Sequence, residues 1–255
     1  MSKARQLIGV FIAVFCLTLI ALAPARLADP LIKQASAGLL SLHASSGSLW
    51  RGNAQLQLSQ HAGQHFSLGH LSWEIAPAAL LGGQLQIALT QALDEQRGRA
   101  QLQLGVTQLT LLDLHLHLPA AAIASLSPML SALNPAGKLQ LQSARYTLRR
   151  AASHLMHQGQ ITAFWQPATF LQGIEAGNYR IQLNGDNSAT LAGELSTLRG
   201  PLALQGKLQI NERQQLIMNG NVRLAPGPQA QRLMPVFRAL CGRGVDSCTL
   251  GSGLL

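Results

Sequence analysis

The sequence predicts a mainly β protein: an N-terminal transmembrane helix, then one curved antiparallel β-sheet domain with a short packed helix. Three observations lead there. An uncharged apolar run from Leu7 to Ala23 stands behind Lys3 and Arg5. Beyond Ser45 apolar and polar residues alternate with a period of two, the pattern of half-buried strands. One Ala- and Leu-rich stretch, Pro119 to Gly137, interrupts that alternation.

The apolar run comes first. At 1.5 Å per residue it spans roughly 26 Å, close to the hydrocarbon thickness of a bilayer. A cleaved signal peptide has a shorter apolar core and a small-x-small cleavage site. "ALA" at Ala21 to Ala23 has that form, but Pro24 would follow the cut, and "APA" at Ala23 to Ala25 is a second candidate. The length favours an uncleaved anchor. Basic residues ahead of a span hold that end in the cytoplasm. The expected division is therefore 1–26, a cytoplasmic tip and anchor, and 27–255, a β-rich domain on the far side. Phe15 ahead of Cys16 lacks the small size of a lipoprotein signal, so Cys16 reads as a passive membrane residue.

Leu27 to Ser45 reads as a short amphipathic helix, with Leu31, Leu39, Leu40 and Leu42 as its apolar positions. Ten alternating segments follow, from "NAQLQLS" to "QQLIMNGNVRL", punctuated by Gly, Asn and Pro. About ten such strands point to a mostly antiparallel sheet in one domain, its inner face chiefly Leu and Ile. The interruption opens with Pro119 and closes with Asn-Pro-Ala-Gly, which predicts a helix over 120–132, bent at Pro128 and packed on the apolar face. "G-x-L-x-L" recurs at Gly83, Gly137 and Gly206 without a fixed period, so the chain is no repeat array.

Hydrophobic residues make up 47% of the 255, enough for a packed core, and only 11% are charged. The net charge of +9 invites a nucleic-acid reading, but the basic residues are scattered and aromatics are 4%, too few for base-stacking platforms. No nucleic-acid partner is expected. A diffuse positive surface fits anionic lipid headgroups or acidic partners as well.

No catalytic or cofactor-binding motif is present. There is no G-x-S-x-G elbow, P-loop or G-x-G-x-x-G, and the ten acidic residues mostly stand singly. Asp94 and Glu95 share a turn with Arg97 and Arg99. The eight His are the remaining candidates. On a strand, Asp113, His115 and His117 would share one face; His61, His65 and His70 form a second group, His154 and His157 a third. A metal site is conceivable, but none has known zinc-motif spacing, and in "LDLHLHL" the His fill the outward half of an alternating strand. The sequence predicts no enzyme, no metal, no cofactor and no small-molecule substrate. Cys241 and Cys248, in "CGRGVDSC", bracket glycines and an Asp suited to a tight turn. In an exported domain they read as a local disulfide; the spacing is wrong for a zinc pair and no second Cys pair exists.

The stretch "SGSLWRG", Ser46 to Gly52, followed by "LSWEIAPAALLGG", places Gly47, Leu49, Trp50 and Gly52 ahead of Leu71, Trp73, Pro77, Leu80, Leu81 and Gly83. With the anchor, this order resembles protein N of the bacterial type II secretion system, the GspN family. "LPAAAIASL" with "LNPAGKLQL" looks like that family's central helix and next strand, and "GNYRIQL" and "LRGPLALQGKLQI" like its later strands. The "CGRGVDSC" tail departs from the pattern. The resemblance implies a non-catalytic accessory in the inner membrane, with the bulk of the chain periplasmic. It implies contacts with other secretion components and inner-membrane lipid, in support of the export of folded proteins across the outer membrane. A periplasmic lipid-handling protein resembling the AsmA group is the alternative, since a curved Leu-lined sheet could hold an acyl chain. Gly47 and Gly52 bracket the entry to a strand, Trp50 packs over the open end of the sheet, Arg51 points outward, and Trp73 does as Trp50 does. The functional alternative is that Trp50 and Trp73 touch a partner or lie at the lipid headgroup level.

Overall fold

A computed structural model describes residues 7–8, 11, 14–15, 18–19, 21–59, 65–122, 132–151, 154–171, 173–211, 216–227, 229–241 and 247–250. Among them, thirteen strands form one sheet in strict chain order, each antiparallel to its neighbours in sequence. They are β1 (Leu40–Gly47), β2 (Arg51–Ser59), β3 (His65–Ala76), β4 (Leu85–Leu93), β5 (Gln96–Leu104), β6 (Gln108–Pro119), β7 (Ala136–Ala151), β8 (His154–Phe170), β9 (Ile174–Ser188), β10 (Leu191–Arg199), β11 (Leu202–Ile210), β12 (Leu216–Leu224) and β13 (Ser247–Leu250).

The register explains why period-two alternation folds this way. Ile87 stands opposite Leu102, Leu102 opposite Leu111, and Leu111 opposite Tyr146, so one apolar row crosses four strands. A slip of one residue would turn every such row to the other face. The segment "RAQLQLGVTQLTLLDLHLHL" is two strands. The chain turns at Gly105, whose N–H donates to the Gln108 carbonyl at 2.8 Å, and Val106 at the tip is 97% exposed. Asp94 and Glu95 form the two-residue turn between β4 and β5, as expected.

Two stretches depart from the sequence expectation. The helix expected over 27–45 is only α1 (Ala28–Ala35), preceded by a 3-10 turn, Ala25–Leu27. The rest is β1, where Leu40 and Leu42 pair with Leu58 and Leu56 of β2. Sheet pairing outweighs the local helical preference of those Leu residues. The packed helix is also elsewhere. α2 (Ala230–Cys241) buries Leu233, Val236 and Phe237. The helix expected over 120–132 lies mostly outside the described residues; at its borders Ala120 and Leu133 are both buried in the core.

The core has two parts. The larger gathers Trp165, Phe170, Tyr179, Leu202 and Val222 of the later strands under α2. The smaller gathers Ala25, Leu42, Ala54 and Trp73 under α1, which contributes Ala28 and Ile32. The Asp29 carboxylate on α1 accepts the β1 amide of Leu42 at 2.8 Å and Lys33 Nζ at 2.7 Å. Partial burial pushes its pKa up, yet these bonds outweigh burial and hold it below the usual value. One N–H of the β1 edge is thereby satisfied by a side chain.

Among the described residues no helix is long and apolar enough to cross a membrane. Much of the anchor expected over 1–26 lies outside them. Those described from Leu7 to Ala21 are all helical.

Candidate functional site

The connection between β1 and β2 is the corner that holds Trp50 and Arg51. Gly47 and Gly52 face each other in the register. Gly47 has φ +90°, and a Cβ there would lie 2.5 Å from the Arg51 carbonyl oxygen, so only glycine fits. A Cβ on Gly52 would lie 2.5 Å from Cζ2 of the Trp73 ring. Both glycines exist because a backbone and an indole pass close over them.

The corner is tied on three sides. The Ser48 N–H donates to the Arg51 carbonyl at 2.9 Å. Trp73 Nε1 donates to the Leu49 carbonyl at 2.9 Å and the Ile75 N–H to the Trp50 carbonyl at 2.7 Å. The Leu49 N–H donates to the Ala23 carbonyl at 2.8 Å, and Pro24 bridges to Ser48. The corner is therefore bolted to the end of the N-terminal apolar run.

The two Trp residues have different roles. Trp73 is 7% exposed and belongs to the core under α1. Trp50 is half-buried at the rim of an open groove of about 500 Å³, lined also by Arg51, Glu74, Ile75, Pro77 and Leu102. Of the two, Trp73 on the neighbouring strand is the more deeply buried. Arg51 points outward and pairs with Glu74 across β2 and β3, where both are exposed. An ion pair in water contributes little to stability.

Of the His groups, the structure brings together Asp113 and His115. Asp113 sits at a β-bulge, at φ 47°, where β6 carries one residue more than β5. Its carboxylate meets Arg99 Nε at 2.7 Å, and its Oδ1 lies 3.3 Å from His115 Nε2. His117 is engaged through its backbone. His65 bonds Ser59 at 3.2 Å, and His61 lies outside the described residues. Among the described residues no group of three His, Cys, Asp or Glu side chains is placed to hold a metal. Cys241 at the end of α2 is bonded to Cys248 in β13, with 5.4 Å between their Cα atoms. The bridge joins a helix to a strand.

Two buried polar clusters lie elsewhere in the sheet; the sequence marks His157 only as one of the His candidates and Gln91 not at all. Gln91 is 3% exposed, and its Nε2 donates to the carbonyls of Leu68 at 2.8 Å and His117 at 2.7 Å. Its Oε1 accepts the His117 N–H at 3.0 Å. Gly98, its partner on β5, has no side chain to block that reach. The second cluster is His157, 6% exposed, whose Nδ1 lies 2.7 Å from the buried Tyr146 hydroxyl. His157 Nε2 is buried with no hydrogen-bond partner. Burial lowers the His157 pKa and raises that of Tyr146. The signal was phase: Gln91 and His157 stand in register with apolar positions, Gln91 two residues after Leu89 and His157 opposite Leu148.

The family model described as Type II secretion system (T2SS), protein N, matches residues 38–243, from just ahead of β1 to just past α2. Neither the curated proteins nor the solved structures include a match to this chain.

Proposed function

Because this chain belongs to the protein N family of the type II secretion system, we propose that it is a non-catalytic, single-pass inner-membrane accessory of that machinery. In this reading the β domain lies in the periplasm, contacts other secretion components, and supports the export of folded proteins across the outer membrane. The observation behind it is the family match over most of the β domain.

The anchor has support of its own. The large apolar side chains described between Leu7 and Leu22 are 54–74% exposed, as on a helix that meets lipid rather than its own domain. Basic residues at positions 3 and 5 set the N-terminus in the cytoplasm. An alkaline phosphatase fusion after Leu255 should be active; an inactive fusion would refute this topology.

The functional test is deletion with complementation. Removal of the gene should strand secreted cargo in the periplasm or lower its export. A chain with His115→Gln and His117→Gln should restore export, since both positions keep hydrogen-bonding capacity and lose only acid–base and metal-ligand chemistry. If that variant accumulates normally and export fails, the non-catalytic reading is wrong. Stoichiometric lipid co-purifying with the wild-type protein would instead favour the lipid-handling alternative.

A further inference from the structure

We propose that the base of the β domain is a lipid-facing seat: Leu27, Leu31 and Trp50 rest in the headgroup boundary of the membrane that the N-terminal run crosses. The inference rests on the anchor reading above and adds to it a fixed docking of the domain on the bilayer.

The starting point is where the apolar run ends. Its last residue, Ala23, accepts a hydrogen bond from Leu49, next to Trp50, and Pro24 bridges Ser48. The β1–β2 corner therefore sits at the level where the apolar run from Leu7 to Ala23 leaves the hydrocarbon. Interfacial depth is where the amphipathic indole of Trp is enriched. Trp50 is on the rim of an open groove rather than sealed in the core.

α1 begins only a 3-10 turn later and runs back along β1, with Asp29 reaching Leu42 and Ser36 reaching Leu40, so the seat extends from the corner along the first edge of the sheet. The sides of α1 differ in chemistry. Ala28 and Ile32 pack on the core beneath. Asp29 and Lys33 pair on a second side. Leu27 and Leu31, four residues apart and so stacked on one face, are 48% and 58% exposed. That last side is apolar, exposed and beside the emerging anchor. A helix with one apolar flank outward is the form that lies in a membrane interface. Exposed Arg26 between Ala23 and Leu27 adds a cation for anionic headgroups. The occupant that fits all of this is the bilayer surface itself.

The test uses the full chain with Cys16→Ser, reconstituted in vesicles of phosphatidylethanolamine and phosphatidylglycerol. A polarity-sensitive fluorophore is attached at Leu31→Cys or, as a distal control, at Leu198→Cys, an exposed position on β10 nine strands from β1. The expected result is blue-shifted emission at position 31, lost when lipids brominated near the headgroup replace the ordinary ones, with position 198 unchanged. Trp50 emission, taken as the difference between the parent and Trp50→Phe, should be lost in the same lipids. If position 31 keeps its emission while the protein resists alkaline carbonate extraction, the seat is refuted and the anchor stands. Blue-shifted emission that brominated lipid leaves intact would assign the face to a protein contact and also refute the seat. If carbonate releases the protein, the anchor reading falls and the seat with it.

Discussion

At Gln91 a side-chain amide replaces a backbone pairing. β5 ends its register with β6 at Arg99 and His115, and two residues later the Gln91 carboxamide bonds both the N–H and the carbonyl of His117. Gln91→Leu keeps the volume but leaves those groups and the Leu68 carbonyl buried and unpaired. Each such orphan costs about 1–3 kcal/mol. The variant should lose several kcal/mol in urea unfolding; a loss below about 1 kcal/mol would refute this role. His157 gives a second prediction. Burial lowers its folded pKa, whereas the unfolded chain titrates near 6.5. As pH falls below that value the unfolded state takes up a proton that the folded state refuses, so stability falls. At higher pH both states are neutral and the term vanishes. Melting temperature should therefore drop more steeply from pH 7 to pH 5 in the parent than in His157→Phe; parallel curves would count against it. Neither residue was singled out as a core group from sequence, because a polar residue in an apolar phase looks the same whether it breaks a strand or stitches two.

At the scale of elements, the β1–β2 corner separates two tryptophans that the sequence presents alike. Trp73→Ala removes a buried ring and should cost about 3–5 kcal/mol. Trp50→Ala, on the groove rim, should cost clearly less; equal losses in urea unfolding would contradict the assignment. Alternation made most strands legible, because cross-strand pairing of Leu rows needs only a period of two. It could not show which Trp turns inward, since that depends on the register of β2 against β3. β1 was missed because only Leu40 and Leu42 mark its inner face and Ala44, at φ 52°, breaks its regularity. α2 was missed because Pro235 lies inside it, although Leu233, Val236 and Phe237 keep helical spacing. The Cys241–Cys248 bridge closes a short loop, for which the chain-entropy model gives about 2–3 kcal/mol. Cys248→Ser should speed amide exchange in α2 and β13 and leave β1 to β4 as they were. Uniform acceleration would argue against a local bridge.

At the scale of the whole molecule, one continuous sheet carries two core clusters among the described residues, one beneath α1 and one beneath α2. Leu233 is wholly buried in the second. Leu233→Ala should cost about 2–5 kcal/mol. Native-state hydrogen exchange should show the loss in β9 to β12, with β2 to β4 keeping their protection; equal loss everywhere would mean that the two cores unfold as one. The strict chain order of the strands also sets how the molecule can be built. Among the described strands, none waits for a partner from a distant part of the sequence. A polypeptide that emerges N-terminus first can lay each new strand on an edge already in place, while the first edge is sheltered by Asp29 and α1. Among the described strands, β13 is fastened by sulfur. Oxidation of Cys241 with Cys248 then locks β13 to α2 over the edge of β12, and a chain without Cys248 leaves that edge less firmly covered.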